Sequence, residues 1–262
     1  MAPTSSAQEQ SAPTPLTWKH RTHARWLRWR WGDDSAWAQA VSFRNLTLAR
    51  ALAEQGVSAK EVPTYTIMLA VDYGDPVFLS MLLENGANPN AQNDNNYCET
   101  ALHRAVVGGN LRAAELLLAA GADIDSLEGN GYTPLAVALN GFGERVAAWE
   151  DRRPIALSLL KAGASPTKWV WNDRQSVLDL APLDVEVLDE LIKHGANPTA
   201  LVNPSPHTSF PALSSESLLV FRASEISSLS EIDEFLKAME RHGQGPASRG
   251  RSGQPLIFSM VR

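Results

Sequence analysis

The stretch TALHRAVVGGNLRAAELLLAAGADID, residues 100–125, decides the fold of this chain. Thr100 opens a short apolar run, and Gly121 follows a second one whose leucines recur at helical spacing. A Thr before an apolar run caps a helix start, and a Gly just beyond the last turn takes the left-handed conformation that ends a helix. The stretch therefore predicts two short antiparallel helices joined by a turn.

The same two signals recur on both sides of this stretch. The helix-ending glycine is found at five positions, which are Gly56, Gly86, Gly121, Gly163 and Gly195. The helix-opening motif is found at YTIMLAV (65–71), TALHRAV (100–106), TPLAVAL (133–139) and SVLDLAP (176–182). Self-similarity at such a period is typical of a solenoid whose units pack only on their neighbours.

Residues 100–125 resemble the ankyrin repeat, whose pattern includes T-P-L-H-x-A, a G-N or G-H turn and L-L-x-x-G-A-D. TPLAVAL matches the same pattern at Thr133, Pro134 and Leu135. The resemblance covers residues 35–200 and implies an all-α solenoid of five or six helix-turn-helix units with a helical C-terminal cap. It also implies that His103 makes a backbone hydrogen bond between repeats and has no catalytic role.

The first unit is divergent. An offset of 65 residues aligns Gly56 with Gly121 and places SAWAQAV (35–41) on TALHRAV. Trp37 then falls on Leu102, a core position of the repeat. Terminal repeats are commonly atypical, so residues 35–56 are predicted to be the first repeat.

Composition sets the other boundaries. The predicted parts are a disordered N-terminus (1–15), a basic Trp-rich arm or N-terminal cap (16–34), the repeats (35–200), a C-terminal cap or degenerate repeat (201–243) and a tail (244–262). Within the C-terminal part, residues 227–243 read as a helix, because Ser228 and Glu231 fit a capping box before an apolar stripe.

The arm WKHRTHARWLRWRW, residues 18–31, has three interpretations. It caps the solenoid, with Trp26, Leu27 and Trp29 covering the first repeat and the arginines pointing outward. Alternatively it lies on an anionic membrane surface, where basic and Trp residues act together. In the third interpretation it grips nucleic acid through Arg and stacked bases.

Two later units depart from the repeat pattern. GFGERVAAWEDRRP, residues 141–154, inserts about nine residues between two helices. We expect the first helix to extend and the insertion to project, and Pro154 to occupy a first helical position of the next helix. In the following unit Asp179 stands where the family has His, and TKWVWNDRQ (167–175) forms the connecting finger loop.

No constellation of residues indicates catalysis, so the chain is predicted not to be an enzyme and to need no cofactor or metal. Phosphate-binding, His-Glu-x-x-His and Gly-x-Ser-x-Gly motifs are absent, and Cys98 is the single cysteine. Cys98 occupies a position where the family turns on Gly. The acids at 184, 186, 189 and 190 have helical spacing and are predicted to form a solvated helix face.

The resemblance implies that the inner helices and finger loops bind another protein. Carried over by position, the predicted partner-binding residues are Trp169, Trp171, Tyr73, Asn96, Tyr97, Arg104, Asn130 and Tyr132. Packing is the alternative for the aromatic ones: Trp169 and Trp171 against Trp149 under the insertion, and Tyr97 and Tyr132 between neighbouring fingers.

The predicted function is a non-enzymatic protein-protein interaction module acting as scaffold, adaptor or inhibitor. The alternative is a secreted effector or toxin-related protein that recognises its target through the repeats and uses the arm for delivery or membrane attachment. A net charge of -6 argues against broad nucleic-acid binding. No secretory signal or spanning segment is evident, which indicates a cytoplasmic protein, although the N-terminal composition also fits a transit peptide or secretion leader. The excess of Arg over Lys, 17 to 6, hints at a bacterial source.

Overall fold

A computed structural model describes residues 16–93, 97–141, 146–168 and 184–196, together with Lys237 and Arg241. Over these ranges the chain is helical and has no strand, which confirms the all-α prediction. An isolated antiparallel bridge between Gln92 and Thr100 closes the base of one finger loop.

The described helices are short, apart from the first and the ninth. They are α1 (Trp18–Trp31), α2 (Asp33–Ser42), α3 (Leu46–Glu54), α4 (Thr64–Asp72), α5 (Pro76–Glu84), α6 (Ala101–Val107), α7 (Leu111–Ala119), α8 (Pro134–Asn140), α9 (Trp149–Lys161) and α10 (Val185–Lys193).

The helices stack in two rows. The inner row consists of α2, α4, α6 and α8, and each of these contacts the next. The outer row consists of α3, α5, α7 and α9, which contact one another in the same way, and α10 packs against α9. One apolar core runs through the stack from Leu27 of α1 to Leu191 of α10. This is the solenoid predicted from the repeat.

Every outer helix, and α10, ends in the same hydrogen-bonded cap. The five repeat glycines have φ between +62° and +99°. In the first unit the N–H of Gly56 donates to the carbonyl of Ala53 at 2.9 Å, and the N–H of Val57 donates to Leu52 at 3.1 Å. The other four units repeat both bonds. This pair of bonds defines the Schellman motif, so the predicted helix endings are confirmed.

The pair α2–α3 is built as a repeat, in agreement with the 65-residue offset. Trp37 is as fully buried as Leu102, and its Nε1 donates to the carbonyl of Val57 at 3.0 Å. The aligned residues Asn45 and Asn110 both cap an outer helix with their side-chain oxygens. The fold of the first unit is therefore conserved although its sequence has diverged.

Helix α1 packs across the open end of this first pair. It contacts α2 and α3 and buries Ala24 and Leu27 there. Trp26 and Trp29 were expected to cover the repeat beside Leu27, and this is wrong, since they are 53% and 81% exposed. Both tryptophans lie on the side of the helix opposite the stripe formed by Ala24 and Leu27.

The insertion lengthens the outer helix and not the inner one. Helix α8 stops at Asn140, whereas α9 has 13 residues and starts at Trp149. Pro154 therefore lies inside α9, which corrects the expectation that it opens the helix. The N–H of Ala147 donates to the carbonyl of Val107 at 2.8 Å, so the described part of the insertion folds back onto the preceding unit and does not project.

Arg152 fixes the insertion from within. Its side chain is 8% exposed, and it donates from Nε to the carbonyl of Ala147 at 2.9 Å and from a terminal nitrogen to Ala138 at 2.5 Å. The guanidinium thus satisfies carbonyls at the end of α8, which a helix leaves without partners. A Cβ at Gly141 would lie 2.5 Å from this guanidinium, so a larger residue at that position would have to displace the Arg152 side chain.

The acids of α10 cap the helix and form ion pairs. Asp184 caps α10 and pairs with Arg153 of α9 at 2.5 Å, and Arg153 also reaches Glu186 at 2.6 Å. Asp189 was predicted to lie on a solvated helix face, and this is wrong, since it is buried and forms an ion pair with Arg241. No group of three His, Cys, Asp or Glu is placed to hold a metal in the part of the chain that is described.

The C-terminal predictions fall mostly outside the described residues. Lys237 and Arg241 are helical and belong to the helix predicted at residues 227–243. The capping box at Ser228 and Glu231 and the tail lie outside the described ranges, as does Asp179.

Two glycine substitutions test how the insertion packs. An Ala at Gly121 meets nothing within 4 Å and suffers only from its positive φ, which costs about 1–2 kcal/mol. A Cβ at Gly109 would in addition lie 2.8 Å from the Cβ atoms of Ala147 and Asp151. In urea unfolding we expect Gly109→Ala to lose at least about 2 kcal/mol more than Gly121→Ala. Equal losses would show that the insertion does not rest on the α6–α7 turn.

Candidate protein-interaction surface

The exposed side of the inner helices places aligned residues in rows. With Gly56 on Gly121, Gln39 of α2 aligns with Arg104 of α6, and Ser42 aligns with Val107. Of these, Ser42 is exposed and the other three are half-buried. A binding partner that lay along this face would therefore meet one side chain from each successive unit.

Arg104 is held in place by the neighbouring unit. Its Nε lies 2.6 Å from Oδ1 of Asp72 and its second terminal nitrogen lies 2.9 Å from Oδ2, which is a bidentate pair between α6 and α4. Glu99 lies 3.8 Å away. The pKa of Glu99 is raised above its usual value, because the effect of burial outweighs the attraction of Arg104, which lowers that pKa. The predicted contact residue Arg104 thus carries a preorganised charge on the surface.

An aromatic groove lies at the α2 end of the inner face. Trp31, Phe43 and Tyr65 rim it and are 52%, 78% and 54% exposed. The groove has a volume of about 400 Å³, and its other lining residues are Ser35, Ala38, Gln39, Ser42 and Pro63. No motif in the sequence predicts this groove, although the alignment that puts Phe43 on Gly108 marks Phe43 as an aromatic residue outside the core.

Tyr73 continues this groove toward Arg104. It is half-buried, its hydroxyl donates to the carbonyl of Ser42 at 3.3 Å, and the guanidinium of Arg44 lies 4.8 Å from its ring centroid. Tyr73 therefore borders the face on which it was predicted to act.

Of the described residues predicted to bind a partner through the finger loops, Tyr97 and Asn130 are exposed and Tyr132 is buried. Tyr97 is 57% exposed, and its carbonyl accepts a hydrogen bond from Gly129 of the next finger. Asn130 is exposed and bonds to Glu128 through its backbone and its side chain, both at 3.0 Å.

Tyr132 was predicted to contact a partner, and this is wrong, because the residue is only 5% exposed and packs within the protein. Burial, with the charge of Glu128, raises the pKa of Tyr132 to about 12.

His103 joins two repeats, as the resemblance implied. Its Nδ1 lies 2.8 Å from Oγ1 of Thr100, and its Nε2 lies 3.0 Å from the carbonyl of Tyr132 in the next unit. The backbone carbonyl requires Nε2 to carry the proton, so Nδ1 is the acceptor for Thr100. A neutral imidazole satisfies both hydrogen bonds, so His103 has a structural role.

Three of the predicted contact residues, Asn96, Trp169 and Trp171, lie outside the described residues. Trp149, their suggested packing partner, is partly buried against the core, with Arg152 5.8 Å from its ring centroid. Cys98 is exposed and has φ +46°, the left-handed conformation expected where the family turns on Gly. In the described part of the chain, no helix is long and apolar enough to cross a membrane.

Known proteins share this architecture. The family model for ankyrin repeats, in three copies, matches residues 67–168. Potassium channel AKT1 of Oryza sativa subsp. indica is 48% identical over 71 residues, which are 27% of this chain and 7% of the channel. The 2-5A-dependent ribonuclease of Mus musculus is 41% identical over 73 residues, which are 28% of this chain and 10% of that protein. The matches thus span a tenth or less of these two relatives.

A solved structure extends the likeness beyond the family match. The ankyrin repeat domain of Bcl-3, a member of the IkappaB protein family, has a TM-score of 0.58 at 20% identity, with 86% of this chain and 92% of that chain covered. Identity this low shows a shared fold alone. The class that fold and surface define is a helical-repeat solenoid. Residues 67–168 of it match ankyrin repeats, which confirms the prediction from residues 100–125, and repeats of this kind indicate a protein-protein interaction module.

His103 is expected to make stability fall in mild acid. Burial lowers its pKa to about 4, from 6.5 for an unperturbed His. The unfolded chain therefore binds the proton first, so the contribution is complete above about pH 6.5 and is lost as the pH falls toward about 4. The total loss is on the order of 3 kcal/mol.

Urea unfolding of the natural chain and of His103→Gln, each at neutral pH and near pH 5, measures this effect. The Gln variant lacks the titrating group and should lose less stability between the two pH values, although it is less stable at neutral pH. The same acid sensitivity in both proteins would contradict the assignment.

Proposed function

We propose that this chain is a non-enzymatic scaffold, adaptor or inhibitor that binds another protein along its inner helices and finger loops. The aromatic groove of Trp31, Phe43 and Tyr65 carries this proposal. Aromatic side chains and Arg are the residue types that contribute most to protein interfaces, and here both lie along one face.

The groove has the form that a protein ligand needs. Its floor is the exposed side of α2, whose opposite side is fixed by the fully buried Trp37. A rigid floor requires little ordering on binding, which favours affinity. The exposed apolar area of Phe43 and Tyr65 is released from water when a partner covers it.

Charged side chains on the same face would orient a bound partner. The pair of Arg104 and Asp72, with Glu99 beside it, is partly exposed and joins α4 to α6, at the unit that follows the groove. Such rim charges affect orientation and association rate more than affinity. The partner that fits places an apolar side chain in the groove and a polar segment across α4 and α6. The fingers bearing Asn96, Tyr97, Asn130, Trp169 and Trp171 extend the proposed contact.

Capture of proteins from the native cell lysate tests which surface binds. The baits are the natural chain, a Phe43→Ala, Tyr65→Ala variant, and a Trp169→Ala, Trp171→Ala variant. Trp29→Ala is the matched control, because it removes an exposed aromatic residue from α1 on the side away from the groove. We expect the groove variant to bind the captured partner at least about tenfold more weakly and the control to bind it normally.

Circular dichroism and urea unfolding establish that each bait is folded. Retention of the same partner at unchanged affinity by the groove variant would contradict the role of the groove. If only the Trp169 and Trp171 variant loses the partner, the binding site is the finger at residues 167–175.

A further inference from the structure

We propose that the outward face of helix α1 docks on anionic phospholipid membranes. This surface, the α1 Trp face, consists of Trp18, Trp26 and Trp29 with the basic residues beside them. It is separate from the groove proposed to bind a protein.

Helix α1 has two faces of opposite character. The inner stripe of Ala24 and Leu27 is 0% and 3% exposed against α2 and α3. Trp18 and Trp29 are 71% and 81% exposed, and Trp26 is 53% exposed. Their spacing of eight and eleven residues places all three on one side, because eight and eleven residues are close to two and three helical turns. Capping of the solenoid therefore leaves three large aromatic side chains facing water.

Basic side chains border this stripe on both sides. On a helix of 100° per residue, Arg25 lies at one edge and Lys19 at the other, and Arg30 lies beyond Lys19 with its guanidinium 4.3 Å from the ring centroid of Trp31. The sequence has no acid from residue 10 to residue 32. Two further arginines form ion pairs with acids of the first unit: Arg21 pairs with Glu54 at 3.2 Å, and Arg28 pairs with Asp33 at 2.7 Å. Among the described residues, Lys19, Arg25 and Arg30 have no such ion pair.

An apolar stripe with cationic borders matches a lipid interface. Trp rings lie at the level of the headgroups, while Lys and Arg reach the phosphates on either side. A nucleic-acid duplex would need the cations at the centre of the contact, where Trp18 and Trp29 lie here. A single strand could stack its bases on these rings, and the vesicle and RNA measurements distinguish the two ligands. The remainder of the chain is acidic enough to leave a net charge of -6, so attraction to an anionic surface is local to α1.

The fold prepares this surface in advance. Isolated helices of 14 residues are marginal in water, whereas α1 is held on α2 and α3 before any lipid is met. Trp31, which rims the groove, lies about half a turn around the helix from Trp29. A membrane on the α1 Trp face therefore leaves the groove open.

Co-sedimentation with vesicles tests the proposal on the full chain. The probes are vesicles of phosphatidylcholine alone and of phosphatidylcholine mixed with phosphatidylserine, each at low and high salt. We expect the natural chain to bind the anionic vesicles, with binding that weakens in high salt as charge is screened. Trp26→Ala with Trp29→Ala should weaken that binding by about tenfold or more.

Two further variants separate the contributions. Arg25→Gln with Arg30→Gln keeps the Trp side chains and should lose the preference for anionic vesicles. Phe43→Ala with Tyr65→Ala removes exposed aromatic area elsewhere and should bind vesicles like the natural chain. Circular dichroism should be the same for all, because none of these side chains is in the core.

The proposal is overturned if the natural chain ignores anionic vesicles, or if the variant lacking Trp26 and Trp29 binds them equally well. It is also overturned if a labelled single-stranded RNA binds the chain through α1 while vesicles do not. Vesicle binding by the groove variant together with loss of its protein partner would show that the two surfaces act separately.

Discussion

The stack depends on the way each outer helix ends. A left-handed glycine reverses the chain, and the residue after it bonds back to the last turn and packs on the core, fully buried at Val57 (0% exposed) and Ala164 (1%) and partly buried at Ala122. The chain therefore leaves each of these helices through the same cap conformation. Repetition of this local constraint brings each new pair of helices alongside the preceding one, and the core, the inner face and the rows of fingers follow from it.

Polar contacts between units then hold the register. The side-chain oxygen of Asn90 accepts the N–H of Asp123 at 2.7 Å, and Asp125 accepts the N–H of Ser165 at 2.9 Å in the next step along the stack. His103 makes the equivalent link between inner helices and the following finger. Each unit thus satisfies polar groups of its neighbour, and the His103 bond does so in a buried position, so contacts between repeats contribute to stability.

Helix α1 covers the end of the solenoid with one side and exposes tryptophans on its other side. Helix α1 covers the apolar end of the first unit with small and aliphatic side chains, Ala24 and Leu27, which allow close approach to α2 and α3. Its tryptophans are thereby left for other contacts, with Trp31 at the groove and Trp29 on the opposite side. Protein binding and membrane docking can therefore take place at once on the same short element.

The sequence by itself determined the repeat, the positions of its helix endings, the burial of Trp37 and the linking role of His103. These features depend on local backbone conformation and on register, which nearby residue types encode. Only the tertiary structure decided that Trp26 and Trp29 are exposed, that Tyr132 is buried, that the insertion lengthens α9, and that Arg152 closes the end of α8. Phe43, Tyr65 and Trp31 likewise became one groove only once α1, α2 and α4 met. The burial of a long side chain depends on which distant segment lies opposite it, and helical periodicity carries no information about that segment.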